Sequence, residues 1–72
     1  MIANIANDIF YQMKKCKTQI EMENIWFNFK QITDPKVFNE VENYLIKNKA
    51  YYFYITMDGI SGCIKERILG EF

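Results

Sequence analysis

The chain has 72 residues, of which half are hydrophobic and 17% aromatic. That is one small domain, residues 1–72, with enough apolar surface to offset its ordering entropy and no room for a second core. Nine basic and nine acidic side chains cancel, so no bulk field draws the chain to nucleic acid or to an anionic membrane. The neutrality is also local: residues 1–34 carry four charges of each sign, 35–49 three basic and two acidic, and 50–72 two basic and three acidic.

The first segment, about 2–17, reads as an amphipathic helix. Ile2, Ile5, Ile9, Met13 and Cys16 recur at helical spacing, Ala6 and Phe10 widen the stripe, and Lys14, Lys15 and Lys17 complement the dipole at the C-terminal end. Thr18-Gln-Ile-Glu21 matches a capping box, in which the Thr hydroxyl takes the N3 amide and Glu21 reaches back to the cap. It divides the pattern and starts a second helix, about 19–32, with Met22, Ile25, Trp26, Phe29 and Ile32 inward and Phe27 off the stripe. Asp34-Pro35 is an N-cap followed by a proline suited to the first helical position. A third helix over about 35–48 buries Val37, Phe38, Val41, Tyr44 and Leu45, with Asn39, Glu40, Glu42 and Asn43 on its solvated side.

From Ala50 the period becomes two, and Asp58-Gly59 signals a type I′ turn. The expected strands are 51–57 and about 60–68. The implied register pairs Met57 with Ile60, Ile55 with Gly62 and Phe53 with Ile64. One face then holds Tyr51, Phe53, Ile55, Met57, Ile60 and Ile64 and is the buried one. The other presents Tyr52, Tyr54, Thr56, Ser61, Cys63, Lys65 and Arg67. Glu66 falls on the apolar side, which points to a twist or a short helical turn there, and the tail from Leu69 fits no pattern. The expected fold is α+β: three helices followed by a C-terminal antiparallel hairpin packed on them.

The chemical inventory is sparse. Histidine is absent, so neither thiol has the usual activating base, and no metal site or cofactor is expected. The glycines fit no phosphate-binding loop. The pairs Glu21/Glu23 and Glu40/Glu42 sit two apart on helices and point in different directions. An enzyme is not expected. Two cysteines, a start lacking the pattern of a signal peptide, and no apolar run near the roughly 20 residues of a membrane helix suit a reduced, cytoplasmic setting.

The surface singled out is the outward hairpin face, with Tyr52, Tyr54, Lys65 and Arg67 as the partner-binding residues. Tyrosine and arginine are the types enriched where binding energy concentrates. Phe10, Phe27, Ile46 and Phe72 lie off or at the margin of the stripes and add to an apolar surplus. The expected function is a protein-binding module, a small inhibitor or adaptor of the kind that phage and other mobile elements encode, including inhibitors of host defence. A homodimer through a hairpin edge is also compatible with this pattern. The alternative is a DNA-binding regulator, because two helices, a turn and a hairpin have the outline of a winged helix. Glu40, Glu42 and Asp58 on the surfaces that would meet phosphate weigh against it.

Overall fold

The structure, a computed structural model, describes residues 1–70. Phe72, counted above in the apolar surplus, lies outside the described residues. Helix α1 spans Ile2–Lys14, α2 Gln19–Ile32 and α3 Pro35–Lys49; a 3-10 turn over Ala50–Tyr52 leads into β1 (Phe53–Thr56), β2 (Gly59–Cys63) and a last short helix α4 (Lys65–Ile68). The architecture is the expected α+β arrangement of helices followed by a two-stranded antiparallel sheet.

The helix boundaries follow local chemistry. The α1 pattern closes at Lys14, three residues early, as the Lys15 and Cys16 amides turn back onto Gln12 and Met13. The capping box then starts α2. The Glu21 amide donates to Thr18 Oγ1 at 3.1 Å, while Glu21 Oε1 accepts from the Lys17 and Thr18 amides at 2.9 and 3.1 Å. Those two amides hold the Glu21 carboxyl below its ordinary range. Asp34 caps α3 by accepting from the Lys36 amide at 2.8 Å, with Pro35 opening the helix.

One core joins all elements: Ala6, Ile9, Phe10 and Met13 from α1, Met22 and Trp26 from α2, Phe38, Val41 and Leu45 from α3, and Phe53, Ile60, Cys63 and Ile68 from the C-terminal part. Trp26 is the largest fully buried side chain, its ring 4.8 Å from that of Phe38 and 5.9 Å from that of Phe29. Ile32, expected inward, is exposed at the last position of α2, and Phe27 is partly exposed.

The hairpin departs from the expected register. Its two-residue loop is Met57-Asp58, one position earlier than expected, pairing Thr56 with Gly59. Neither loop residue has a positive φ, so the turn is not type I′; Gly59, at φ +107°, makes the reversal instead. A bulge follows: Ile55 pairs with Ile60 and Tyr54 with Gly62, so that Ser61 is the extra residue. These two offsets change which side chains are buried. Phe53 and Ile60 remain inside, Cys63 moves from the outward set to full burial, and Tyr51, Ile55 and Met57 are exposed. The second strand also ends at Cys63 rather than near Ile68. Helix α4 follows, which sets Ile68 into the core and leaves Glu66 outside.

Two helix carboxylates hold β2 in place. Glu42 Oε2 accepts the Ile60 amide at 2.9 Å, and Glu23 Oε2 accepts the Cys63 amide at 3.2 Å. Gln19 Nε2 completes the second contact, donating to Glu23 Oε2 at 2.8 Å and to the Cys63 carbonyl at 2.6 Å. Glu42 is therefore half-buried against the hairpin, a correction to its place on the solvated side of α3. Both contacts need glycine. A Cβ on Gly62 would lie 2.8 Å from Glu23 Oε2, and one on Gly59 would collide with the Glu42 carboxylate.

Thr18→Ala removes the hydroxyl that takes the Glu21 amide and is expected to cost about 1 kcal/mol of stability, read as a lower urea midpoint. The matching Glu21 contribution is present at neutral pH and is lost as acid protonates the carboxylate through its lowered range. An unchanged midpoint would show that the cap contributes nothing.

Candidate interaction surface

The four residues singled out in the sequence do not share one strand face. Tyr54 is on β1, exposed and opposite Gly62. Tyr52 lies in the 3-10 turn and is half-buried, its ring edge-on to Phe10 at 4.9 Å. Lys65 and Arg67 are on α4 rather than on an extended second strand. The reason is the route of the chain after α3. With no glycine or proline between Lys49 and Tyr51, the helix tightens into a 3-10 turn instead of breaking into a strand, which takes Tyr51 and Tyr52 out of the alternation.

What assembles is a run of rings with cations on them. Tyr51 and Tyr52 meet edge to face at 5.3 Å, and Tyr52 continues to Phe10. The Arg67 guanidinium lies 4.5 Å from the centre of the Tyr51 ring, and its Nη1 donates to the Tyr51 carbonyl at 2.9 Å. Lys49 Nζ sits 4.8 Å and Lys14 Nζ 5.7 Å from the centre of the Phe10 ring. Next to them, Lys15 Nζ is 4.6 Å from the centre of the exposed Tyr11 ring. Each cation–ring contact at an exposed site contributes about 0.5–1 kcal/mol and fixes a long side chain that otherwise samples many rotamers.

The helix ends explain why the cations gather here. Phe10 brings together the last turns of α1 and α3, whose exposed carbonyls carry the negative end of each helix dipole and favour lysine. The acid-free segments 9–20 and 43–57 supply Lys14, Lys15, Lys17, Lys47 and Lys49. Lys14, Lys15, Lys49 and Arg67 therefore lie on or beside the ring run although the whole chain is neutral. Sequence reasoning missed Lys14, Lys49 and Tyr51 as members. Lys14 reads as a dipole partner at the end of the first helix, and the alternation assigns Tyr51 to the buried face of the sheet.

Elsewhere the chemistry is quiet. Among the described residues, no three His, Cys, Asp or Glu side chains cluster as metal ligands. Both cysteines are free thiols. Burial, reinforced by the charge of Glu23 and by Cys16, pushes the Cys63 thiol from 9.0 up to about 12. Burial, then Glu21, also raises Cys16, which donates a weak 3.5 Å hydrogen bond to the Gln12 carbonyl. A shallow groove between α1 and α2, lined by Ile9, Gln12, Ile25, Asn28, Phe29 and Ile32, has no charged group in its wall among the described residues. No helix among the described residues is long and apolar enough to cross a membrane.

Comparison with known proteins adds no assignment: no protein family, curated protein or solved structure matches this chain.

The thiols give a direct check on this placement. Iodoacetamide is expected to modify Cys63 only in denaturant, whereas the partly exposed Cys16 reacts in the native protein, as peptide mass mapping would show. Because unfolding releases the Cys63 proton near its ordinary value, the stability linked to this thiol is fully present below about pH 9 and declines as the pH rises toward 12. Equal native labelling of the two thiols would contradict the burial of Cys63.

Proposed function

We propose that the chain is a non-enzymatic protein-binding module that acts as a small inhibitor or adaptor by occupying an acidic surface of its partner. The observation that carries this reading is the placement of Lys14, Lys49 and Arg67 on aromatic faces in a run contributed by α1, α3, the 3-10 turn and α4. Cations held in this way lose little further freedom on binding, so contact with carboxylates is less opposed by entropy. Tyr51, 62% exposed beside Arg67, adds amphipathic area of the kind that anchors interfaces.

The residue set of the binding face becomes Lys14, Lys49, Tyr51, Tyr52 and Arg67, with Tyr54 and Lys65 outside the ring run. A cytoplasmic setting suits the two free thiols, and an origin in phage or another mobile element suits a small binding protein with few catalytic groups. The four cations on or beside the rings, Lys14, Lys15, Lys49 and Arg67, are few for a duplex, where affinity scales with the number of phosphates neutralised. For that reason a protein partner is preferred to DNA.

The test is affinity capture from a lysate of the source organism by the wild-type chain and by the Lys49→Glu/Arg67→Glu variant, with mass spectrometry of what is retained. Wild type is expected to hold a partner whose binding weakens with salt. The variant, losing about 2 kcal/mol or more, is expected to bind it at least roughly 30-fold less tightly. A partner held equally by both proteins would overturn the surface assignment. Binding to duplex DNA at low salt, with no protein retained, would replace this reading by that of a DNA-binding regulator.

A further inference from the structure

The two edges of the sheet differ in what they offer, and the difference follows from the hydrogen-bond pattern. In an antiparallel pair, facing residues either exchange hydrogen bonds with each other or both point their backbone groups away. The Ile64 amide donates to the Tyr52 carbonyl at 2.9 Å, which sets the alternation. The Cys63 and Ile60 amides point away from β1, to Glu23 and Glu42. Their facing residues, Phe53 and Ile55, consequently point their backbone groups away from β2.

On the β2 side both outward amides are thus taken by carboxylates, and Gln19 takes the Cys63 carbonyl. On the β1 side the Phe53 amide turns back to the Ala50 carbonyl. The N–H and C=O of Ile55 and the C=O of Phe53 face an edge with no further strand among the described residues. Residues 50–57 contain no charge and no proline, two of the usual guards of such an edge. Tyr54, Ile55 and Met57 leave 55%, 38% and 104% of their surface exposed along it.

We infer that the occupant of this edge is a second copy of the chain, joined β1 to β1 in antiparallel register about a two-fold axis at Ile55. The axis lets each Ile55 donate to and accept from Ile55 of the second copy. It also places the Met57 amide of each chain near the Phe53 carbonyl of the other. The pattern is self-complementary, and the uncharged strand offers no repulsion to its copy. Assembly stops at two, because the β2 edge of each molecule is closed and a filament needs two open edges. The product is a four-stranded sheet that covers Ile55 and its exposed neighbours. This inference is independent of the acidic-partner reading, since it uses neither Lys49 nor Arg67.

Sedimentation equilibrium of the full chain over micromolar to millimolar concentration tests it. The expected result is a monomer–dimer equilibrium with no larger species. Ile55→Lys and, separately, Met57→Lys are expected to weaken dimerisation by at least about tenfold. Met57 makes no buried contact, so its replacement leaves the fold intact, as circular dichroism would verify. A monomer throughout the range, a dimer indifferent to both variants, or growth past two would each overturn the inference.

Discussion

The arrangement depends on two carboxylates that bridge helix and strand. A two-stranded hairpin of four and five residues is marginal by itself in water. Here Glu23 of α2 and Glu42 of α3 accept amides of β2, each a hydrogen bond to a charged group of about 1.5–3 kcal/mol. The strand is thereby fixed to two helices as well as to its neighbour. Gly62 and Gly59 follow from the same constraint, since a side chain at either position displaces a carboxylate. So does the course of the chain beyond β2: with Cys63 held by Gln19 and Glu23, α4 starts two residues later, buries Ile68 and carries Arg67 to Tyr51.

The clamp also bears on how charge is distributed. Glu23 and Glu42 are directed to backbone amides of β2, while the last turns of α1 and α3 carry lysines whose ring contacts are with Phe10. A formally neutral chain therefore sets Lys14, Lys49 and Arg67 on aromatic rings. Net charge describes solubility and long-range steering; the placement of each charge decides what a surface recognises.

Much of the helical part was legible because its signals are local. The capping box at Thr18, Asp34 before Pro35 and the 3.6-residue stripes each act within a few residues, and α2 spans the expected range. The hairpin was legible in kind but not in register. Its offset is set by the positive φ of Gly59 and by carboxylates 18 and 40 residues away in sequence, which no local pattern encodes. Glu23 and Glu42 look like ordinary solvated helix positions. The one available clue was Gly62, because a glycine inside a strand often marks a close approach by another group. The binding face was half legible: Tyr52 and Arg67 were identified, whereas Tyr51, Lys14 and Lys49 join them only through the 3-10 turn and the meeting of two helix ends.

Amide hydrogen exchange at Ile60 and Cys63 tests the clamp most directly. Both amides point away from the partner strand, so their protection has to come from the helix carboxylates. In the wild-type chain they are expected to exchange as slowly as the Ile64 amide, which is paired across the hairpin. In Glu23→Ala, exchange at Cys63 is expected to accelerate at least about tenfold, the loss of one hydrogen bond to a charged group, with the α1 amides unchanged. Exchange of the wild-type Ile60 and Cys63 amides at the rate of unstructured backbone, or a Cys63 rate indifferent to the loss of Glu23, would contradict the account.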